Sequence, residues 1–120
     1  MKKLLVAVLF AAAALAFENV DAKTFAKLMG QKDVVVLDVR TPGEFMEGHI
    51  QGANLVPIQL FKYLYLGGKG IKDKKVLVYC RSGNRSVTAS QALEQWGAKK
   101  VYNLKNGILE WKAAGLPLVK

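Results

Sequence analysis

The segment Val76-Leu77-Val78-Tyr79-Cys80-Arg81-Ser82-Gly83-Asn84-Arg85-Ser86-Val87 decides the fold class. Its first four residues are apolar without alternation, as expected of a strand buried on both faces, which is the habit of parallel sheets. From Asn84 to Trp96 the apolar period changes: Ala89, Ala92, Leu93 and Trp96 fall on one helical face, and Gly97 stops the helix. A buried strand therefore runs through a short polar turn directly into a helix, which is the unit of an α/β domain.

Working outward, the same alternation of elements recurs. Val34-Val35-Val36-Leu37 is a second continuous apolar run, and Glu18 to Val20 reads as a short first strand. Between them Asp21 is a good N-cap for a helix carrying Phe25, Leu28 and Met29 on one face and ending at Gly30. Thr41-Pro42-Gly43-Glu44 supplies an N-cap, a proline at the first helical position and a glutamate at the third, which together form a capping box. Ala53 to Val56 reads as a third strand closed by Pro57, and Ile58 to Leu66 as a helix ending at Gly67-Gly68. Val101-Tyr102 belongs to a fifth strand, and a last helix from Gly107 to Ala114 carries Ile108 and Trp111 before Gly115 and Pro117. The expected architecture is one α/β domain: a mainly parallel five-stranded sheet with helices on both faces. In such sheets the site lies beyond the carboxyl ends of the strands. Asp38-Val39-Arg40 and the turn beginning at Cys80 leave the sheet there.

The turn from Cys80 to Ser86 has the chemistry of an anion cradle built around a thiol. A small, flexible centre at Ser82-Gly83 allows successive backbone N–H groups to converge on one point. The helix N-terminus adds about half a positive charge. Arg81 and Arg85 add two guanidinium groups suited to oxyanions. Cys80, the single cysteine of the chain, should have a lowered pKa in that setting. Two arginines and a central glycine within five residues argue against a merely structural cysteine with arginines on the surface. With one cysteine, no internal disulfide can form.

Cys80-Arg81-Ser82-Gly83-Asn84-Arg85-Ser86 resembles the active-site loop of single-domain rhodanese proteins, C-R-x-G-x-R-[ST]. Leu37-Asp38-Val39-Arg40, with Glu44-Phe45 and Gly48-His49-Ile50-Gln51-Gly52-Ala53, is similar to that family's upstream signature. Leu104-Lys105-Asn106-Gly107-Ile108-Leu109-Glu110-Trp111, with Gly115-Leu116-Pro117, is similar to its C-terminal one. The family often has Gly-Gly in place of Asn106-Gly107, and G-A-x-N-x-P in place of Gly52-Ala53-Asn54-Leu55-Val56-Pro57; both departures fall in turns. The resemblance implies a double displacement. Cys80 would take sulfur from an anionic donor such as thiosulfate or polysulfide and pass it to cyanide, a thiol or a protein acceptor. It also implies that the amides of Arg81, Ser82, Gly83, Asn84, Arg85 and Ser86 hold the persulfide, that Arg81 and Arg85 hold the donor's charge, and that no metal or organic cofactor is required.

Asp38 and Arg40 are expected to support the site through an ion-pair network that also draws on Glu44. His49 is the single histidine and is redundant as a base for a thiol already ionised; Trp96 and Trp111 read as core packing. Two rival functions follow from the same residues. One is a delivery module that accepts polysulfide sulfur with little turnover on thiosulfate. The other is a cysteine-dependent phosphatase or arsenate reductase, disfavoured because those loops run C-x5-R whereas Cys80 to Arg85 is C-x4-R, a smaller cradle without an internal aspartate.

Of the 120 residues, Met1 to Ala16 carry a basic start, an apolar run from Leu4 to Leu15 and a small-x-small pattern at Ala14-Leu15-Ala16. That reads as a cleaved signal peptide, since the run falls short of the ~20 residues needed to span a bilayer. The expectation is an exported domain of residues 17–120, periplasmic in a Gram-negative source, with no membrane anchor after cleavage. The net charge of +9 falls to +7 when Lys2 and Lys3 leave. A basic surface favours anions, but the lysines are scattered and no aromatic-interleaved stripe accompanies them, so a nucleic-acid partner is not expected. Oligomeric state is left open.

Overall fold

The computed structural model describes residues 17–64 and 70–120, apart from the side chains of Lys62 and Leu64. The signal-peptide reading of residues 1–16 and the end of the expected Ile58–Leu66 helix lie outside the described residues.

Five strands form one sheet: β1 (Glu18–Val20), β2 (Val34–Asp38), β3 (Asn54–Leu55), β4 (Lys75–Tyr79) and β5 (Lys100–Leu104). Their order is β1-β5-β4-β2-β3 and every pairing is parallel. The two continuous apolar runs lie side by side in the centre, with Val36 opposite Leu77 and Asp38 opposite Tyr79. Because strand side chains alternate between faces, each central strand feeds two cores. Val76, Val78, Cys80, Leu37 and Val39 pack on one face against Ala89 and Leu93 of α4 (Asn84–Gln95). Leu77, Tyr79 and Val36 pack on the other face against Phe25 of α1 (Ala22–Met29) and Ile108 and Trp111 of α5 (Gly107–Ala113). Helices thus cover both faces, as the buried runs require.

The local signals act as expected at most boundaries. Asp21 caps α1 by accepting from the Thr24 N–H at 2.8 Å. Thr41 and Glu44 form a reciprocal capping box at the start of α2 (Pro42–Glu47). Three elements differ in length. The third strand is two residues long: Pro57 has no N–H to extend a ladder, although Val56 N–H still reaches the Asp38 carbonyl at 2.8 Å. The expected helix at Ile58 begins as a 3-10 turn (Ile58–Leu60) and becomes α-helical at α3 (Phe61–Leu64). The fifth strand runs from Lys100 to Leu104, because buried Asn103 continues it and donates from Nδ2 to Asn19 Oδ1 at 2.9 Å. An apolar-run criterion misses a strand that carries an asparagine.

Both tryptophans pack, to different degrees. Trp111 is buried, edge-on to Phe25, and its indole N–H donates to the Pro117 carbonyl. Trp96 is only half-buried: it stacks on Phe61 at 5.6 Å and lines a cleft of about 250 Å³ with Ile58, Gln59, Thr88 and Ala92.

Candidate active site

Cys80 is the first residue after β4, and the loop that follows rises directly into α4. Its Sγ lies at the buried base of that loop, with the residue 1% exposed. The Gly83 N–H points at Sγ from 3.1 Å, and the Ser86 hydroxyl oxygen is 3.4 Å away. Gly83 is the N-cap of a twelve-residue helix and brings no capping side chain. The sulfur therefore occupies the position of an anion at a helix N-terminus. Burial pushes the Cys80 thiol up, but hydrogen bonds from the Ser86 side chain and from the backbone N–H groups of Ser86, Gly83 and Ser82 outweigh it, and the pKa falls below the ordinary thiol value. When the sulfur is protonated its S–H donates to Ser86 Oγ, which in turn donates to the Gly83 carbonyl at 3.2 Å. On ionisation the same hydroxyl can rotate and donate to the thiolate.

Replacing Ser86 by alanine removes that rotor and leaves the backbone donors. The thiol's apparent pKa should then move up toward its ordinary value, read as a shift to higher pH in the iodoacetamide alkylation profile. An unchanged profile would assign the whole effect to the backbone.

Two glycines make this loop possible. Gly83 adopts φ +105°, and a Cβ there would stand 2.1 Å from the Lys105 carbonyl oxygen. Gly107, at φ +65°, lets the start of α5 press on the loop, where a Cβ would stand 2.4 Å from the Arg81 carbonyl oxygen. The Ile108 N–H donates to the Cys80 carbonyl at 2.9 Å and the Leu109 N–H to the Arg81 carbonyl at 3.3 Å. The first turn of α5 thus ties down the outer side of the loop by satisfying its carbonyls. The motif around Asn106-Gly107 is present in the sequence, but its contact with the Cys80 loop is a tertiary fact.

The arginines divide into three situations. Arg40 is buried against Asp38, with Nη2 to Oδ2 at 2.7 Å and Nε to Oδ1 at 3.0 Å; it also donates to the Gly48 carbonyl at 2.7 Å. Its guanidinium carbon lies 5.6 Å from the Tyr79 ring centre. Arg85 is held by Glu44 through two hydrogen bonds, at 2.8 and 3.1 Å. Arg81 is exposed and makes no side-chain hydrogen bond or ion pair with the described residues. The expected network around Asp38, Arg40 and Glu44 is therefore two separate pairs. The second takes up one of the two arginines that the sequence suggested for the donor. Ser82 and Asn84 are exposed at the mouth of the loop, whereas Ser86 is buried beneath it. His49 stacks on Phe45 at 3.6 Å, and its backbone pairs with Val119.

The pattern of the rhodanese-like domain family matches residues 21–114. A protein of Allochromatium vinosum named sulfurtransferase is 38% identical over 102 residues, covering 84% of this chain and 94% of that one. Thiosulfate sulfurtransferase GlpE of Coxiella burnetii is 38% identical over 87 residues, covering 72% of this chain and 79% of that one. Among solved structures, a rhodanese-related protein of Thermoplasma volcanium superimposes with a TM-score of 0.73 at 32% identity, covering 86% of this chain and 98% of that one. The parallel sheet, the strand-to-helix loop at Cys80 and these matches together place the chain in the rhodanese-like sulfurtransferase family.

Proposed function

We propose that the chain moves a sulfane sulfur from an anionic donor, thiosulfate or a polysulfide, to a thiophilic acceptor through a persulfide on Cys80. The observation that carries this reading is the buried Sγ at the start of α4, 3.1 Å from the Gly83 N–H and beside the Ser86 hydroxyl. A thiolate stabilised there is a nucleophile at neutral pH. It attacks the outer sulfur of thiosulfate; a new S–S bond forms, the bond to the sulfonate sulfur breaks, and sulfite leaves with the electron pair. The persulfide anion takes over the hydrogen bonds of the thiolate. Cyanide, a small thiol or a protein cysteine then attacks the outer sulfur and releases the Cys80 thiolate. Arg81, exposed at the loop's edge, is the guanidinium that receives the donor's charge.

Intact mass spectrometry of the protein after exposure to thiosulfate, and separately to polysulfide, tests this. A gain of about 32 Da that cyanide removes is the expected result. No gain from either donor would sink the sulfur-transfer reading. Many thiocyanates per protein from thiosulfate would mark an enzyme, whereas loading from polysulfide with little turnover would mark a delivery module.

A further inference from the structure

The Cys80 loop carries two arginines, but they are not equally available to an incoming anion. Glu44 Oε1 and Oε2 accept from Arg85 Nη1 and Nη2 at 2.8 and 3.1 Å, so the carboxylate spans the face of the guanidinium best suited to an oxyanion. Glu44 is itself held in place. Its Oε1 accepts from the Thr41 N–H at 3.0 Å, its own N–H donates to Thr41 Oγ1 at 3.2 Å, and Pro42 sets the turn between them. The Glu44 carboxyl is pulled down to about 2, chiefly by Arg85, so the pair stays ionised across the working pH range. Arg40 is likewise neutralised, by Asp38. That leaves Arg81 without a side-chain partner among the described residues of the loop.

We propose that Glu44 is a specificity-determining residue of the sulfur-transfer site. By holding Arg85 in a two-point pair it leaves one guanidinium, Arg81, to receive the donor's anionic group, and so biases the site toward singly charged sulfur donors over the thiosulfate dianion. This rests on the sulfur-transfer reading above. The capping box and the donor site share one carboxylate: the residue that starts α2 also sets the charge of the cradle at the start of α4.

The test compares thiosulfate with methanethiosulfonate, which carries the same transferable sulfur on a sulfonyl group but one negative charge fewer. Cyanide serves as acceptor for both. Glu44→Gln keeps an oxygen for the Thr41 cap and removes the charge opposite Arg85. It should raise kcat/KM for thiosulfate by about tenfold, through KM, and should raise it far less for methanethiosulfonate. The difference between donors should shrink as salt is added. Equal changes for the two donors, or a higher KM for thiosulfate, would overturn the proposal and make Glu44 a merely structural partner.

A second comparison stands if that variant folds poorly. Arg81→Gln should raise the thiosulfate KM more than the double replacement Glu44→Gln with Arg85→Gln, which removes the pair without changing net charge. The opposite order overturns the proposal. Wild-type protein that loads no sulfur from either donor would overturn the parent reading instead, so the two failures are distinguishable.

Discussion

Replacing Cys80 by serine should lower sulfur transfer by at least ~10³-fold, with no gain in mass from any sulfur donor and little change in thermal stability. The three parts of that expectation have one origin. A serine hydroxyl does not ionise near neutral pH, and its oxygen cannot carry sulfane sulfur as a persulfide does. Its size and polarity nevertheless suit the pocket, since it can accept from the Gly83 N–H and exchange hydrogen bonds with Ser86, as the thiol does. The fold therefore keeps its packing while losing its nucleophile. Thiocyanate production from thiosulfate and cyanide, measured beside a thermal melt, separates the two effects. Transfer above about a tenth of the wild-type rate in a folded Cys80→Ser protein would mean that Cys80 is not the carrier.

The residues on which this rests are legible in the sequence, because the signals are local. The unbroken run Val76 to Tyr79, the glycine in the turn and the apolar period from Ala89 to Trp96 together place Cys80 between strand and helix, where the structure has it. The Thr41–Glu44 capping box is local too, and it forms as its spacing indicates. What is not legible is what each charged side chain does with its spare hydrogen-bonding capacity. Glu44 and Arg85 are 41 residues apart, and only the parallel packing of β2 beside β4 brings the helices that follow them together. The clamp of α5 on the loop has the same character, since Gly107 meets Arg81 through the folding of two distant turns. Polar residues hide the ends of two strands, β2 and β5. Asp38 sits in its strand paired with Arg40, and Asn103 in its own with its amide nitrogen donating to Asn19; an apolar-run criterion cannot see either partner.

Asp38→Asn should destabilise the fold by about 3–5 kcal/mol, the cost of leaving a buried charge without its counter-ion. Asp38 is 0% exposed and Arg40 5%, so water cannot replace what is lost. The geometry makes asparagine a poor substitute despite its shape. Asp38 Oδ1 accepts from the Arg40 backbone N–H and from Nε, each at 3.0 Å, while Oδ2 accepts from Nη2 at 2.7 Å. An asparagine has one oxygen for these donors, and its amide N–H₂ would face an arginine donor head-on. For a domain of this size the loss corresponds to a fall in Tm of more than ~10 °C. Removing both charges with Asp38→Asn and Arg40→Met should recover part of it, because the guanidinium is no longer stranded. Urea unfolding of the single and double variants measures this directly, and a cost below about 1 kcal/mol for Asp38→Asn would place the pair with weak surface salt bridges. The same variant also bears on mechanism. Asp38 lies opposite Tyr79 in the sheet, and Tyr79 is the residue before the nucleophile, yet the Asp38 carboxylate is held by Arg40 through both of its oxygens. Well below its melting point, Asp38→Asn should therefore load sulfur at a rate much closer to wild type than Cys80→Ser does; a comparable collapse in the folded protein would show that Asp38 acts on the sulfur and not only on the frame around it.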